Sequence, residues 1–164
     1  MESVWTDDMS VGNAMIDTDH KNLLRMAGVV EHGIRVGDSM VLSKAFDQFD
    51  GSLRAHFAYE EEIARADRNL LLHHKLAQQY FLEELGFLKD ELLGKAGVWC
   101  GAAVKHYSDL LKGLLVDHIT GKDLQMKHIL QACPCDFSQA KLVRKFMKES
   151  PVRMEVNREK RNKY

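Results

Sequence analysis

Residues 39–63, SMVLSKAFDQFDGSLRAHFAYEEEI, carry the pattern that decides the fold. Leu42, Phe46, Phe49, Leu53, His56, Phe57, Glu60 and Ile63 recur at steps of three and four, the period of one face of an α-helix. That face is apolar except for His56 and Glu60, which stand one turn apart and so project together into the interior. An inward-facing imidazole or carboxylate costs free energy unless something binds it.

The same conflict recurs on both sides of this segment. Upstream, Asp17, Thr18 and Asp19 offer N-cap oxygens to a helix carrying His20, Leu23, Leu24, Ala27, Val30 and Ile34 on one face, with Gly37 and Asp38 as its stop. Downstream, a turn at residues 67–69 leads into a third helix, about 70–93, with Leu71, His74, Gln78, Phe81, Leu85 and Leu88 in a stripe. Gly94 and Gly97 break it. A fourth helix, about 98–119, carries Val104, Tyr107, Leu111, Leu114, Leu115 and His118. Asp123 follows His118 by five residues, which on a continuing helix would aim the two side chains about 140° apart; a helix that stops at Gly121 removes the obstacle.

Four amphipathic helices joined by short links predict an all-α, up-down-up-down four-helix bundle over residues 1–130, entered by an N-terminal arm that carries Trp5, Val11 and Ile16. Residues 131–164 read as a C-terminal extension: a short helix over Phe137, Ala140, Leu142, Val143, Phe146 and Met147, then a basic tail. Both prolines, Pro134 and Pro151, fall there, so no proline interrupts the bundle.

The 164 residues are 45% hydrophobic with a formal net charge of −1, enough apolar material for one compact domain and no bulk attraction to nucleic acid or anionic lipid. From Lys141 onward nine basic residues face three acidic ones, so the tail is basic and the body acidic. No apolar run approaches the roughly 20 residues that span a bilayer, and the opening MESVWTDDMS is too acidic for a secretory signal, so no membrane partner and a cytoplasmic location are expected. Three cysteines, Cys100, Cys133 and Cys135, are too few for a disulfide framework and are expected as reduced thiols.

His20, His56, Glu60, His74, His118 and Asp123 thus come from all four helices and can converge at one level. Imidazole suits iron, zinc and copper, and the carboxylates can bridge two cations about 3.5 Å apart. Six such donors exceed what one tetrahedral zinc uses, which favours two metals. The competing reading, polar core groups that satisfy one another without metal, serves for any one residue but must account for six together. His32, His73, His106 and His128 fall off the inward stripe and are expected to ligate nothing. Tyr59 and Tyr80 are expected to pack, and Met15, Met26 and Met126 to fill core gaps.

In order along the chain, Trp5, VGNAMIDTDHKNL around His20, HFAYEE from His56, HKLAQQYF from His74 and LLVDHITGKD around His118 resemble the bacterial hemerythrin family, over residues 5 to about 130. The resemblance implies a cofactor of two non-heme iron ions, bridged additionally by oxo or hydroxo. His20 and His56 would hold one iron and His74 and His118 the other, with Glu60 and Asp123 spanning both. Phe57, Phe81, Leu115 and Ile119 would wall a pocket for dioxygen or a related diatomic ligand, for carriage, storage or sensing. One position departs from the family: where a second third-helix histidine is usual, this chain has Gln78. Its amide oxygen is a weaker donor than imidazole, so Gln78 is expected either to ligate weakly or to leave a position open. An open position would favour the alternative function, an enzyme that reduces peroxide or nitric oxide.

Overall fold

The computed structural model describes residues 5–95 and 99–132, all within one compact unit, Met1–Cys133. The expected helix over residues 137–147, Cys133 and Cys135, and the basic tail lie outside the described residues. The described chain is helical: a 3-10 turn at Asp7–Met9, then α1 (Ala14–Val36), α2 (Ser39–Ala64), α3 (Arg68–Gly94), α4 (Gly101–Gly121), a second 3-10 turn at Asp123–Met126 and a short α5 (Lys127–Ala132). Links too short to cross the bundle make successive long helices antiparallel, and α1 packs on α2 and α4 while α3 packs on the same two. No helix is long and apolar enough to cross a membrane among the described residues.

Side-chain caps set the helix starts. Asn13 Oδ1 accepts from the Met15 and Ile16 amides at 3.0 and 3.1 Å, Asp38 Oδ1 from Met40 and Val41 at 2.8 and 3.1 Å, and Asp67 Oδ1 from Asn69 and Leu70 at 2.9 and 3.1 Å. Each satisfies amides that have no partner within their own helix. The first of these corrects the sequence expectation, because α1 begins three residues before Asp17. Once Asn13 caps the helix, Asp17 is released to accept from the Ser10 hydroxyl at 2.6 Å and the Val11 amide at 2.9 Å, which ties the arm down and seats Val11 in the core.

Between α1 and α2 only two residues intervene. Gly37 takes a left-handed φ of 72° and closes α1, and Asp38 opens α2. One turn back, a Cβ on Gly33 would sit 3.1 Å from the Leu42 Cα, so its bare backbone lets the two helices close directly after so tight a turn.

The core follows the stripes read from sequence: Leu23, Leu24, Phe46, Phe49, Leu53, Phe81, Leu85, Leu111 and Leu115 are buried. Tyr59 is buried, as expected of a packing residue, but Tyr80 is 59% exposed and is not one. It shares a solvent-facing strip of α3 with Leu72, Leu76 and Phe87, residues that apolar character alone would have drawn inward.

Glu31 and Lys112 tie α1 to α4. Glu31 Oε2 accepts from Lys112 Nζ at 2.6 Å, and Oε1 accepts from Arg35 at 2.8 Å. The Lys112 hydrogen bond holds the Glu31 carboxyl below its ordinary range. Because the folded-state pKa is the lower one, the contribution is complete above the ordinary carboxylate range and is lost as pH falls through the lowered value. Glu31→Gln is expected to reduce stability near pH 7 by about 1 kcal/mol. The difference from the native chain should close in acid, as read by urea midpoints across the pH range; a constant difference would count against the pair.

Candidate metal centre

Antiparallel packing brings the early turns of α1 and α3 beside the late turns of α2 and α4. His20 and His74 each lie six residues after their helix starts, His56 and His118 lie near the ends of theirs, and so the four imidazoles meet at one end of the bundle. Asp123 reaches the same level because α4 ends at Gly121 and the following 3-10 turn swings the carboxylate inward. His20, His56, Glu60, His74, Gln78, His118 and Asp123 are all buried, with Glu60 and Asp123 at 0% exposure.

Each carboxylate divides its oxygens between two histidine pairs. Glu60 Oε1 lies 3.2 Å from His56 Nε2 and 4.0 Å from His20 Nε2, whereas Oε2 lies 3.8 Å from His118 Nε2. Asp123 Oδ2 lies 3.1 Å from His20 Nε2, and Oδ1 lies 3.1 Å from His118 Nε2 and 3.9 Å from His74 Nδ1. One ligand atom from each of His20, His56, Glu60 and Asp123 falls within 4.8 Å of the other three.

Proximity here is not hydrogen bonding. Both nitrogens of His20, His56 and His74, His118 Nε2, Glu60 Oε1, the Gln78 amide oxygen and both oxygens of Asp123 are buried without a hydrogen-bond partner. A buried polar atom left this way costs roughly 1–3 kcal/mol, so eleven such costs concentrated in one spot are hard to reconcile with a self-satisfied polar core. Imidazoles and carboxylates that converge without bonding one another are the donor set of a cation site, and the residues present fit a metal.

The electrostatics agree. Burial alone would lower the His56 pKa, but Glu60, Asp19 and Asp123 beside it raise it to about 10. His118 is likewise opposed by burial and raised to about 9 by Asp123 and Glu60. Burial would raise Glu60, yet His56 and His118 hold it well below its ordinary value. His74 is lowered, because burial outweighs the two carboxylates. Without metal the site holds Glu60 ionised against the imidazolium groups of His56 and His118, the charge that a cation would take over.

Around the donors the lining is apolar. The Phe57 ring lies 5.0 Å from the His118 ring and the Phe81 ring 5.5 Å from it, with Phe57 and Phe81 edge-on at 5.8 Å. Leu115, one turn before His118 on α4, and Ile119, directly after it, are buried in the same core. Trp5 on the arm covers His20 at 6.2 Å between ring centroids. His32, His73, His106 and His128 are exposed.

Asp19 was missed as a site residue. Read from sequence as a cap, it is instead the carboxylate 3.8 Å from His56 Nδ1, 30% exposed at the border of the α1 stripe. The available signal was its place directly before His20 on a helix that packs against α2.

A four-helix bundle that gathers four histidines, two carboxylates and a glutamine in a buried centre defines a helical-bundle protein with a metal-capable site. No protein-family model matches the chain. It is 24% identical over 121 residues to Bacteriohemerythrin of Pseudomonas paraeruginosa, an alignment covering 73% of this chain and 76% of that protein. The chain is bacteriohemerythrin-like in sequence, and its described residues form a four-helix bundle.

Proposed function

We propose that the chain is a non-heme diiron protein that binds dioxygen or a related small diatomic ligand. The observation that carries this reading is the set of buried, unpartnered imidazole and carboxylate atoms facing one another behind a phenylalanine wall. His20 and His56 would hold one iron with Glu60 Oε1 and Asp123 Oδ2, and His74 and His118 the other with Glu60 Oε2 and Asp123 Oδ1, since those are the oxygens each pair faces. Ferrous ions in these places would supply two electrons and a vacant coordination position for the ligand.

The chain's own residues do the rest. Phe57, Phe81, Leu115 and Ile119 exclude water from the His118 side, which favours a small apolar molecule over a hydrated ion. Asp19, beside His56 Nδ1, biases that imidazole to present Nε2 toward Glu60 and stiffens it as a donor. Carriage, storage and sensing of such a ligand are all compatible with the bundle.

Iron-loaded protein is expected to contain two irons per chain and to develop a visible absorption band on admission of air that disappears on evacuation. A colourless, iron-free product from iron-replete expression would remove the reading. Steady consumption of hydrogen peroxide or nitric oxide, with added reductant and well above free iron, would move it to the enzymatic alternative.

A further inference from the structure

The two halves of the centre are unequal, and Gln78 marks the difference. Its side-chain amide nitrogen donates to Glu60 Oε2 at 3.3 Å, the oxygen that faces His118. Glu60 Oε1, on the side of His56 and His20, accepts no hydrogen bond. The half containing His20 and His56 therefore has four donors within 4.8 Å of one another and a carboxylate oxygen that accepts no hydrogen bond. In the other half the His74 imidazole stands 3.9 Å from Asp123, and Glu60 Oε2 is already engaged by an N–H.

A cation entering that second half must either share Glu60 Oε2 with the amide or turn the amide to present its carbonyl oxygen, a neutral donor weaker than imidazole. We propose that Gln78 is a positioning residue on Glu60 and not a ligand, and that it makes metal loading sequential: the His20 and His56 position fills first and tightly, the His74 and His118 position later and weakly. This rests on the diiron reading. It adds that a one-iron form is the resting state wherever iron is scarce.

Iron-loaded full-length protein, titrated anaerobically with a ferrous chelator, tests it. Release is expected in two steps of one iron each, separated by about 10- to 100-fold in chelator concentration, the usual effect of an altered partner shell. Gln78→His replaces the amide with an imidazole donor and should move only the weak step, to within about threefold of the tight one; a merely structural role for Gln78 would not yield tighter binding. His74→Asn should remove the weak step and His20→Asn the tight one, with far-ultraviolet circular dichroism reporting whether each variant folds. If a variant fails to fold, the native two-step profile still decides. Release of both irons in a single step, or loss of the tight step in His74→Asn, overturns the proposal while leaving the diiron reading in place. A chain that binds no iron overturns both.

Discussion

Glu60→Ala is expected to abolish stable iron loading, lowering affinity by at least about 100-fold, more than removal of any single histidine. Glu60 is the one α2 side chain that faces both histidine pairs, with Oε1 toward His56 and His20 and Oε2 toward His118. Truncation therefore takes a donor from each half at once. It also strips His56 and His118 of a carboxylate that raises their pKa values, so the metal-free protein loses compensation for buried positive charge. Removing one partner of a buried ion pair costs about 3–5 kcal/mol, and the variant should be less stable without iron as well as unable to hold it. Iron per chain after gel filtration and urea midpoints of the metal-free forms measure the two effects separately. Glu60→Gln keeps the shape and tests the charge. If Glu60→Ala retained the native iron stoichiometry, the spanning role assigned to this carboxylate would be wrong.

Phe49→Ala is expected to cost about 3–5 kcal/mol of stability, a large fraction of what a single domain has. Phe49 is completely buried in the cluster that also holds Phe46, Leu24, Leu53 and Leu85, where no side chain can swing in to fill the space a benzyl group leaves. Phe87→Ala, at a ring 70% exposed on α3, should change stability by less than about 0.5 kcal/mol. Urea denaturation of the two variants gives the contrast directly. Equal costs would mean that the exposed α3 strip is covered in solution. Iron binding should survive both substitutions at temperatures where the chain stays folded, which separates the loss of core packing from the loss of ligands.

The helices were legible because their cause is local. Periodic apolar stripes fall at 3.6-residue spacing, and caps such as Asp38 and Asp67 sit where the stripes begin. The start of α1 was misplaced because DTD offers three plausible cap oxygens, and only the contact of Asp17 with Ser10 and Val11 shows that this carboxylate is engaged elsewhere. Tyr80 was misread for a similar reason: its neighbours Leu76 and Phe87 make α3 apolar on more than one side, so composition could not say which side meets the bundle.

Six inward polar groups in apolar stripes were enough to locate a site, since burial cost is a property of each residue and its period along one helix. What those groups do to one another was not readable in that way. Which oxygen of Glu60 faces which histidine, the approach of Asp19 to His56 and the donation of Gln78 to Glu60 all depend on distances between separate helices. Those distances are set by packing, through the close approach at Gly33 and the end of α4 at Gly121, and no one-dimensional pattern encodes them.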